Sequence, residues 1–448
     1  MTQIRSRQPR KFPVEKNSVI RKMKNVHKLL ILLSLFLLSC TASKSVDDKS
    51  GIGTKAYPYT VKTGLDLIKS EDFKSLAGKR VGVITNHTGL TKEGRHIVDL
   101  LSEAENVDLV AIFGPEHGVR GVEPDGKFVD SQTDPATGIP VYSLYASSKR
   151  PTEEMIAQID VLLFDIQDVG ARFYSYTYTM ALAMEAAALN GKDFIVLDRP
   201  NPITGSKIEG PLLQPGFESF IGMVPIPIRY GMTVGELALL FKGEGWIEGA
   251  DSLHLEVLKM QGWKRKLWFD QTDVPWVGPS PSMPTLATAT VYPGTCLIEG
   301  TNVSEGRGSA TPFELIGAPW VDGTVLTDRL NKLGLEGVVF EAVEFTPVAI
   351  LPSVPYPKHK DKLCGGVKVR VVNRERFEPV KTGVSIIWFL QNLYPEEFEW
   401  TGTINRLYGS DKLKTGIDEG LALDELFREE SVEMDAFSKI RSKYLLYE

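Results

Sequence analysis

From residue 60 onward the chain alternates short, β-branched apolar runs with longer stretches of helical period. That is the pattern of βαβ units on a mainly parallel sheet. The apolar runs predict strands over 80–85, 107–113, 139–144, 161–164 and 194–197. Between them, 94–104, 151–159 and 177–189 predict helices, the second opening on Pro151, whose fixed φ suits a first turn. The fold class is α/β, with a Rossmann-like first domain. Pro and Gly thicken between 275 and 308, which places a seam there. It separates a domain over 58–286 from a smaller α/β C-terminal domain over 287–448. The second domain is predicted to carry helices over 325–333, 381–393, 420–428 and 434–447 and strands over 338–345 and 366–372. No internal repeat of fixed period is visible.

The first 39 residues read differently. They hold nine Lys/Arg against the single acid Glu15 and end in an apolar run of about ten residues, from Leu29 to Leu38. The run is too short to span a bilayer. A basic segment, an apolar core and Leu37-Leu38-Ser39-Cys40 predict a lipoprotein signal peptide, with Cys40 as the lipidated N-terminus of an envelope protein, in the periplasm and on the outer membrane. Met23-Lys24 would begin a leader of more usual length. Small polar residues continue from Thr41 to Thr54, so 40–57 is expected to be a flexible tether. Removing nine cations and one acid takes the net charge from −6 to −14. An acidic chain without a Lys/Arg cluster makes a poor partner for nucleic acid. With three cysteines, Cys40, Cys296 and Cys364, no disulfide framework holds the chain; the latter two are expected to be packed or paired. Oligomeric state has no signature in the sequence.

In an open parallel sheet, ligands bind beyond the carboxyl ends of the strands, so the segments after each strand carry the candidate chemistry. Four of the five are unusually polar. They are Asn86-His87-Thr88-Gly89, then Gly114-Pro115-Glu116-His117-Gly118, then Asp165 to Tyr174 with Gln167, Asp168 and Arg172, and Asp198-Arg199-Pro200-Asn201. If the strands are parallel and adjacent, these groups share one rim. Glycines around Glu116 allow close ligand approach, and a carboxyl at a sheet end suits proton transfer. Asp198 and Asn201 equally suit backbone turns. Asp165 and Asp168 suit either substrate contact or ion pairs to Arg172 and Arg199. Tyr174 lies in an aromatic run that suits core packing or sugar stacking.

The seam adds Glu299, Asn302, Glu305 and Arg307, alternating with glycines as a cleft wall or as an ordered turn. His87, His117, Asp165 and Asp168 have metal-ligand chemistry, but no H-x-x-x-H or H-E-x-x-H spacing supports a metal site. G-x-G-x-x-G is missing, so no nicotinamide or flavin cofactor is expected, and no G-x-S-x-G elbow marks a Ser nucleophile at Ser280 or Ser282.

Taken together, TNHTG (85–89), GPEHGVRG (114–121), DIQDVGARFYSY (165–176), LDRPNPITG (197–205), PIRYGMTVGELA (227–238), PSPSMPT (279–285) and EGTNVSEGRG (299–308) resemble the bacterial exo-β-N-acetylmuramidases, long catalogued as a family of unknown function. The resemblance runs from about residue 60 to the C-terminus. It implies a glycoside hydrolase removing N-acetylmuramic acid from non-reducing ends of peptidoglycan fragments, with a cleft between a Rossmann-like domain and a smaller one. The family motifs fall on Glu116 and His117, on Asp165, Gln167, Asp168 and Arg172, and on Asp198, Arg199 and Asn201. This chain departs from the usual pattern at Ser175, Ser282 and Ser309, where Thr, Asn and Thr are usual. Glycoside cleavage generally uses a protonated carboxyl and a second carboxylate. Glu116 is the leading acid/base; Asp165, Asp168 and Glu305 are candidates for the second, unless the substrate's own acetamido group takes that part. Arg172, Arg199 and Arg307 are candidates for reading the lactyl carboxylate of muramic acid. Two rival readings are a lipid-anchored wall-glycan binding protein without activity and a metal-dependent hydrolase.

Overall fold

The computed structural model describes residues 57–116, 118–119, 132–145, 148–428 and 430–448. The leader, Cys40, the tether as far as Ala56, and His117 lie outside the described residues. Twelve strands are described: β1 (Arg80–Thr85), β2 (Asp108–Gly114), β3 (Gln132–Thr133), β4 (Pro140–Ser143), β5 (Val161–Asp165), β6 (Asp193–Leu197), β7 (Glu209–Leu212), β8 (Pro227–Arg229), β9 (His254–Leu258), β10 (Leu315–Ala318), β11 (Val338–Phe345) and β12 (Cys364–Val371). A seven-stranded sheet runs in the order β3-β4-β2-β1-β5-β6-β9, all parallel except the edge strand β3. Among the parallel strands the third, second and first lie side by side, and the fourth, fifth and sixth continue from the first. This is the Rossmann order, with its switch point between β1 and β5.

The strands are continuous apolar runs because both faces of the sheet are covered. On β5, Val161 and Leu163 point into one core with Val81, Val83 and Leu101, while Leu162 and Phe164 point into the other with Ile84 and Phe113. The helix Tyr176–Leu189, which follows β5, is buried on nearly every side, so its alanines and methionines serve packing all round rather than a single stripe. The helix expected from 94 begins at Ile97, where His96 caps it by accepting from the Val98 amide at 3.3 Å.

The second half holds a three-stranded antiparallel sheet, β10-β12-β11, backed by the helix Gly323–Lys332, against which the helix Pro379–Leu393 packs. Its Ile316, Val367, Ile386 and Leu390 join the same core as Ile84 and Phe164, so apolar packing is continuous through the chain. The Pro/Gly-rich seam is not a linker. It holds the helix Leu286–Thr295, capped by Thr285, which accepts from the Thr288 amide at 3.1 Å and runs across the expected 286/287 boundary. This helix crosses Pro379–Leu393 at Gly294 and Gly383; a Cβ on Gly294 would fall 1.7 Å from the Pro379 carbonyl oxygen. The glycines there permit backbone contact. In the C-terminal region the helix expected over 420–428 shrinks to Leu423–Leu426, and the last helix is Glu430–Arg441. Among the described residues no helix is long and apolar enough to cross a membrane.

Candidate active site

Strand register brings the polar tips to one rim. Thr85 pairs with Asp165, Ile84 with Phe113, and Phe164 with Val196, so the segments that follow leave the sheet at one level. The rim is common, but most of its charged groups are spent on holding it together. Asp165 is fully buried and accepts two bonds from Arg199, at 2.6 and 2.9 Å, and Arg199 also donates to the Leu90 carbonyl at 3.2 Å. Asp198 is also fully buried. It accepts from the Arg199 and Gly235 amides at 3.0 and 2.8 Å, the Thr233 hydroxyl at 2.8 Å and the Tyr447 hydroxyl at 2.5 Å. Burial pushes the Asp198 carboxyl up to about 7, against the pull of these donors. Asp168 accepts from Tyr230, from the Gly170 amide at 2.7 Å and from Thr177 at 3.4 Å, and burial pushes it up to about 6.

These placements bear on the alternatives that the sequence left open. Asp165, Asp168, Asp198 and Arg199 line no described cavity; each is closed in by the loops it ties. Asn201 donates to the Met232 carbonyl at 2.8 Å and accepts from the Ile203 amide at 3.1 Å, which makes it a turn residue. Asn86 is buried and accepts from the amide and hydroxyl of Thr88 at 2.9 and 2.6 Å. Asn302 bridges the Glu397 carbonyl and the Glu399 amide, at 2.7 and 3.1 Å. Arg172 has no accessible surface; it donates to the carbonyls of Pro211, Ile226, Leu407 and Tyr408, at 2.7 to 3.0 Å. Two of these carbonyls end the helix Ile404–Tyr408, so the guanidinium caps a helix from the other half of the chain. Burial brings Arg172 down to about 10, against the charge of Glu433.

Glu116 is placed differently. It lines a cavity of about 100 Å³ with Phe173, Tyr174, Ser175, Tyr176 and Ile221, the seam residues Ser280, Ser282, Met283, Tyr292 and Arg307, and Phe313 from beyond the seam. Both halves of the chain therefore contribute. Ser175 donates to Glu116 Oε2 at 2.8 Å. Tyr174 stands edge-on to Tyr176 and Tyr292, with centroids 5.0 and 5.8 Å apart. His87 bonds the Gly278 carbonyl at 2.7 Å, tying the β1 tip to the seam. Arg307 donates to Ser282 at 2.8 Å and, from Nε and Nη2, to Glu299 Oε1 at 3.1 and 2.9 Å.

Behind Arg307 lies Glu305, 3.7 Å from its Nε and 3.1 Å from Lys358 Nζ. Lys358 also donates to the carbonyls of Ile298, Glu299 and Val303. Desolvation raises the Glu299 carboxyl; Arg307 opposes this and the neighbouring Glu305 adds to it. Two acids and two bases thus form a balanced cluster along one wall.

Of the sequence candidates, Glu116, Tyr174 and Arg307 face this cavity, with Glu299 and Glu305 supporting Arg307. Tyr176, Tyr292, Phe313 and Lys358 were not among the sequence candidates, and Ser175 stood out only as a departure from the usual motif. A larger groove of about 830 Å³ lies along β12, but its walls hold surface pairs such as Arg370–Glu341 at 2.8 Å and Arg374–Asp270 at 2.7 Å, and none of the candidate residues. No group of three or more His, Cys, Asp or Glu among the described residues is placed to hold a metal ion.

Comparison with known proteins identifies the family. Models of the N-terminal and C-terminal parts of the exo-β-N-acetylmuramidase NamZ match residues 81–287 and 290–447. The chain is 48% identical over 426 residues to the peptidoglycan β-N-acetylmuramidase NamZ of Bacillus subtilis strain 168, covering 95% of this chain and all of that protein. Two crystal structures of DUF1343 family proteins from Bacteroides fragilis superpose with TM-scores of 0.80 and 0.70, at 38% and 32% identity, each covering 87% of this chain and 99% of the other. The chain belongs to the NamZ family of exo-β-N-acetylmuramidases.

Proposed function

We propose that this chain hydrolyses the bond between a terminal N-acetylmuramic acid and the rest of a peptidoglycan fragment, with Glu116 as the proton donor. The observation that carries the reading is that Glu116 is the carboxylate, among the described residues, of the cavity that the motif segments around Tyr174, Ser282 and Arg307 line together. Glu116 gives its proton to the glycosidic oxygen as the C1–O bond breaks. Water supplies the oxygen that ends on C1, and its proton restores the acid.

Arg307 is assigned to the lactyl carboxylate. Of the three candidate arginines it is the one facing the cavity, since Arg172 and Arg199 are buried against carbonyls and Asp165. Mass-spectrometric detection of free N-acetylmuramic acid from a muramyl disaccharide incubated with purified protein tests the activity. Binding of the disaccharide without release of the sugar would favour the wall-glycan receptor, and loss of activity in EDTA would favour the metal-dependent hydrolase. The export reading is proposed alongside: Cys40 is lipidated and anchors the chain in the envelope, probed by radiolabelled palmitate incorporation in wild type against Cys40→Ser.

A further inference from the structure

We propose that Ser175 is a positioning residue for Glu116, an inference that rests on the assignment of Glu116 as the acid. Ser175 immediately precedes the 14-residue helix Tyr176–Leu189, at its N-cap. A serine there ordinarily accepts a bond from an amide of the first turn and stabilises the helix. Elsewhere in this chain the side chains of Thr63, Thr152, Thr233 and Thr285 do so at the starts of their helices. Ser175 makes no such bond. Its backbone is already helical, at φ −62° and ψ −22°, and its carbonyl accepts from the Tyr178 and Thr179 amides at 3.1 and 3.0 Å. The hydroxyl is turned away from the helix and donates to Glu116 Oε2 at 2.8 Å.

Thr403 and Asp411 also leave their helices without a side-chain cap, so it is the bond to Glu116, made by a hydroxyl lining the cavity, that carries the inference. The bond fixes one carboxyl oxygen and with it the plane of the carboxyl group. That defines how Oε1 can approach a glycosidic oxygen, and a misdirected acid loses rate without losing substrate affinity. Since Ser175 is only 7% exposed, its hydroxyl is also held by the packing around it.

Steady-state kinetics on a muramyl disaccharide, together with thermal melts, test the proposal. Ser175→Ala is expected to lower kcat by about 10- to 100-fold with KM within about twofold. Its Tm should stay within about 1 °C of wild type, because no cap is removed. Ser175→Thr, which keeps the hydroxyl, should recover most of the lost kcat. Wild-type kcat in Ser175→Ala would overturn the proposal, as would a fall in kcat accompanied by a Tm loss of several degrees. Glu116→Gln separates the two layers. If it keeps wild-type turnover, the assignment of the acid fails; if it is inactive while Ser175→Ala is normal, only the positioning role fails.

Discussion

Replacing Arg172 by Met removes a buried guanidinium while keeping a flexible side chain of similar reach. The arginine donates to four carbonyls. One of them, that of Ile226, also accepts from the Leu213 amide, so three would lose a principal partner. Each stranded carbonyl costs about 1–3 kcal/mol, a gross loss of roughly 3–9 kcal/mol. Against this, the variant no longer buries a cation to which no carboxylate hydrogen-bonds among the described residues, or an Nε–H without a partner there, which returns several kcal/mol. The net expectation is a destabilisation of about 3 kcal/mol. For a folded body of this length that lowers Tm by about 4 °C, given roughly 2 cal/mol/K of unfolding entropy per residue. The assay pairs a thermal melt with KM for nitrophenyl-MurNAc, measured well below the melt. Arg172 as a bolt between the halves predicts the lower Tm with KM unchanged. A variant as stable as wild type with KM raised tenfold would refute the reasoning and return Arg172 to substrate binding.

Two further predictions concern charge. The Asp198 carboxyl titrates near 7 in the fold against an ordinary value of 3.8. The folded state therefore binds the extra proton, and this stabilisation is complete below about pH 4 and lost as pH rises through 7. That amounts to about 1.4 kcal/mol per unit inside the window. The stability difference between wild type and Asp198→Asn, followed by urea unfolding from pH 5 to 8, should shrink with that slope; a flat difference would contradict it. Arg307→Gln should cut kcat/KM on nitrophenyl-MurNAc by about 30-fold or more while leaving the low rate on nitrophenyl-GlcNAc little changed. Equal losses on both substrates would mean that Arg307 shapes the cavity without reading the carboxylate.

The parallel sheet was legible in the sequence because β1, β2, β5 and β6 are buried on both faces and therefore read as unbroken apolar runs. Their shared rim followed from parallel order. What each rim carboxylate does was not legible, since its partner arrives from a different loop: Arg199 is 34 residues from Asp165, and Tyr447 is 249 residues from Asp198. An aspartate that ties two loops and one that meets a sugar look the same in a motif. Strands such as β7 and β8, of four and three residues, are too short to show a period. The local structure of the seam was not legible for a related reason. Proline and glycine usually mark breaks, but here Gly294 lets two helices touch, and Thr285 opens a helix just after Pro284. The departure at Ser175 is visible in its motif, but not the role of its hydroxyl, because the direction of that hydroxyl is set by where Glu116 stands.

The assignment of Glu116 is tested most directly by the turnover of Glu116→Gln on two substrates with different leaving groups. A disaccharide leaves as a poor alkoxide and needs the proton, whereas nitrophenolate leaves readily without one. General acid catalysis is worth about 10²- to 10⁴-fold. The variant is therefore expected to lose at least about 100-fold on the muramyl disaccharide and distinctly less on nitrophenyl-MurNAc, with an unchanged circular dichroism spectrum. Near wild-type release of N-acetylmuramic acid from the disaccharide would contradict the assignment.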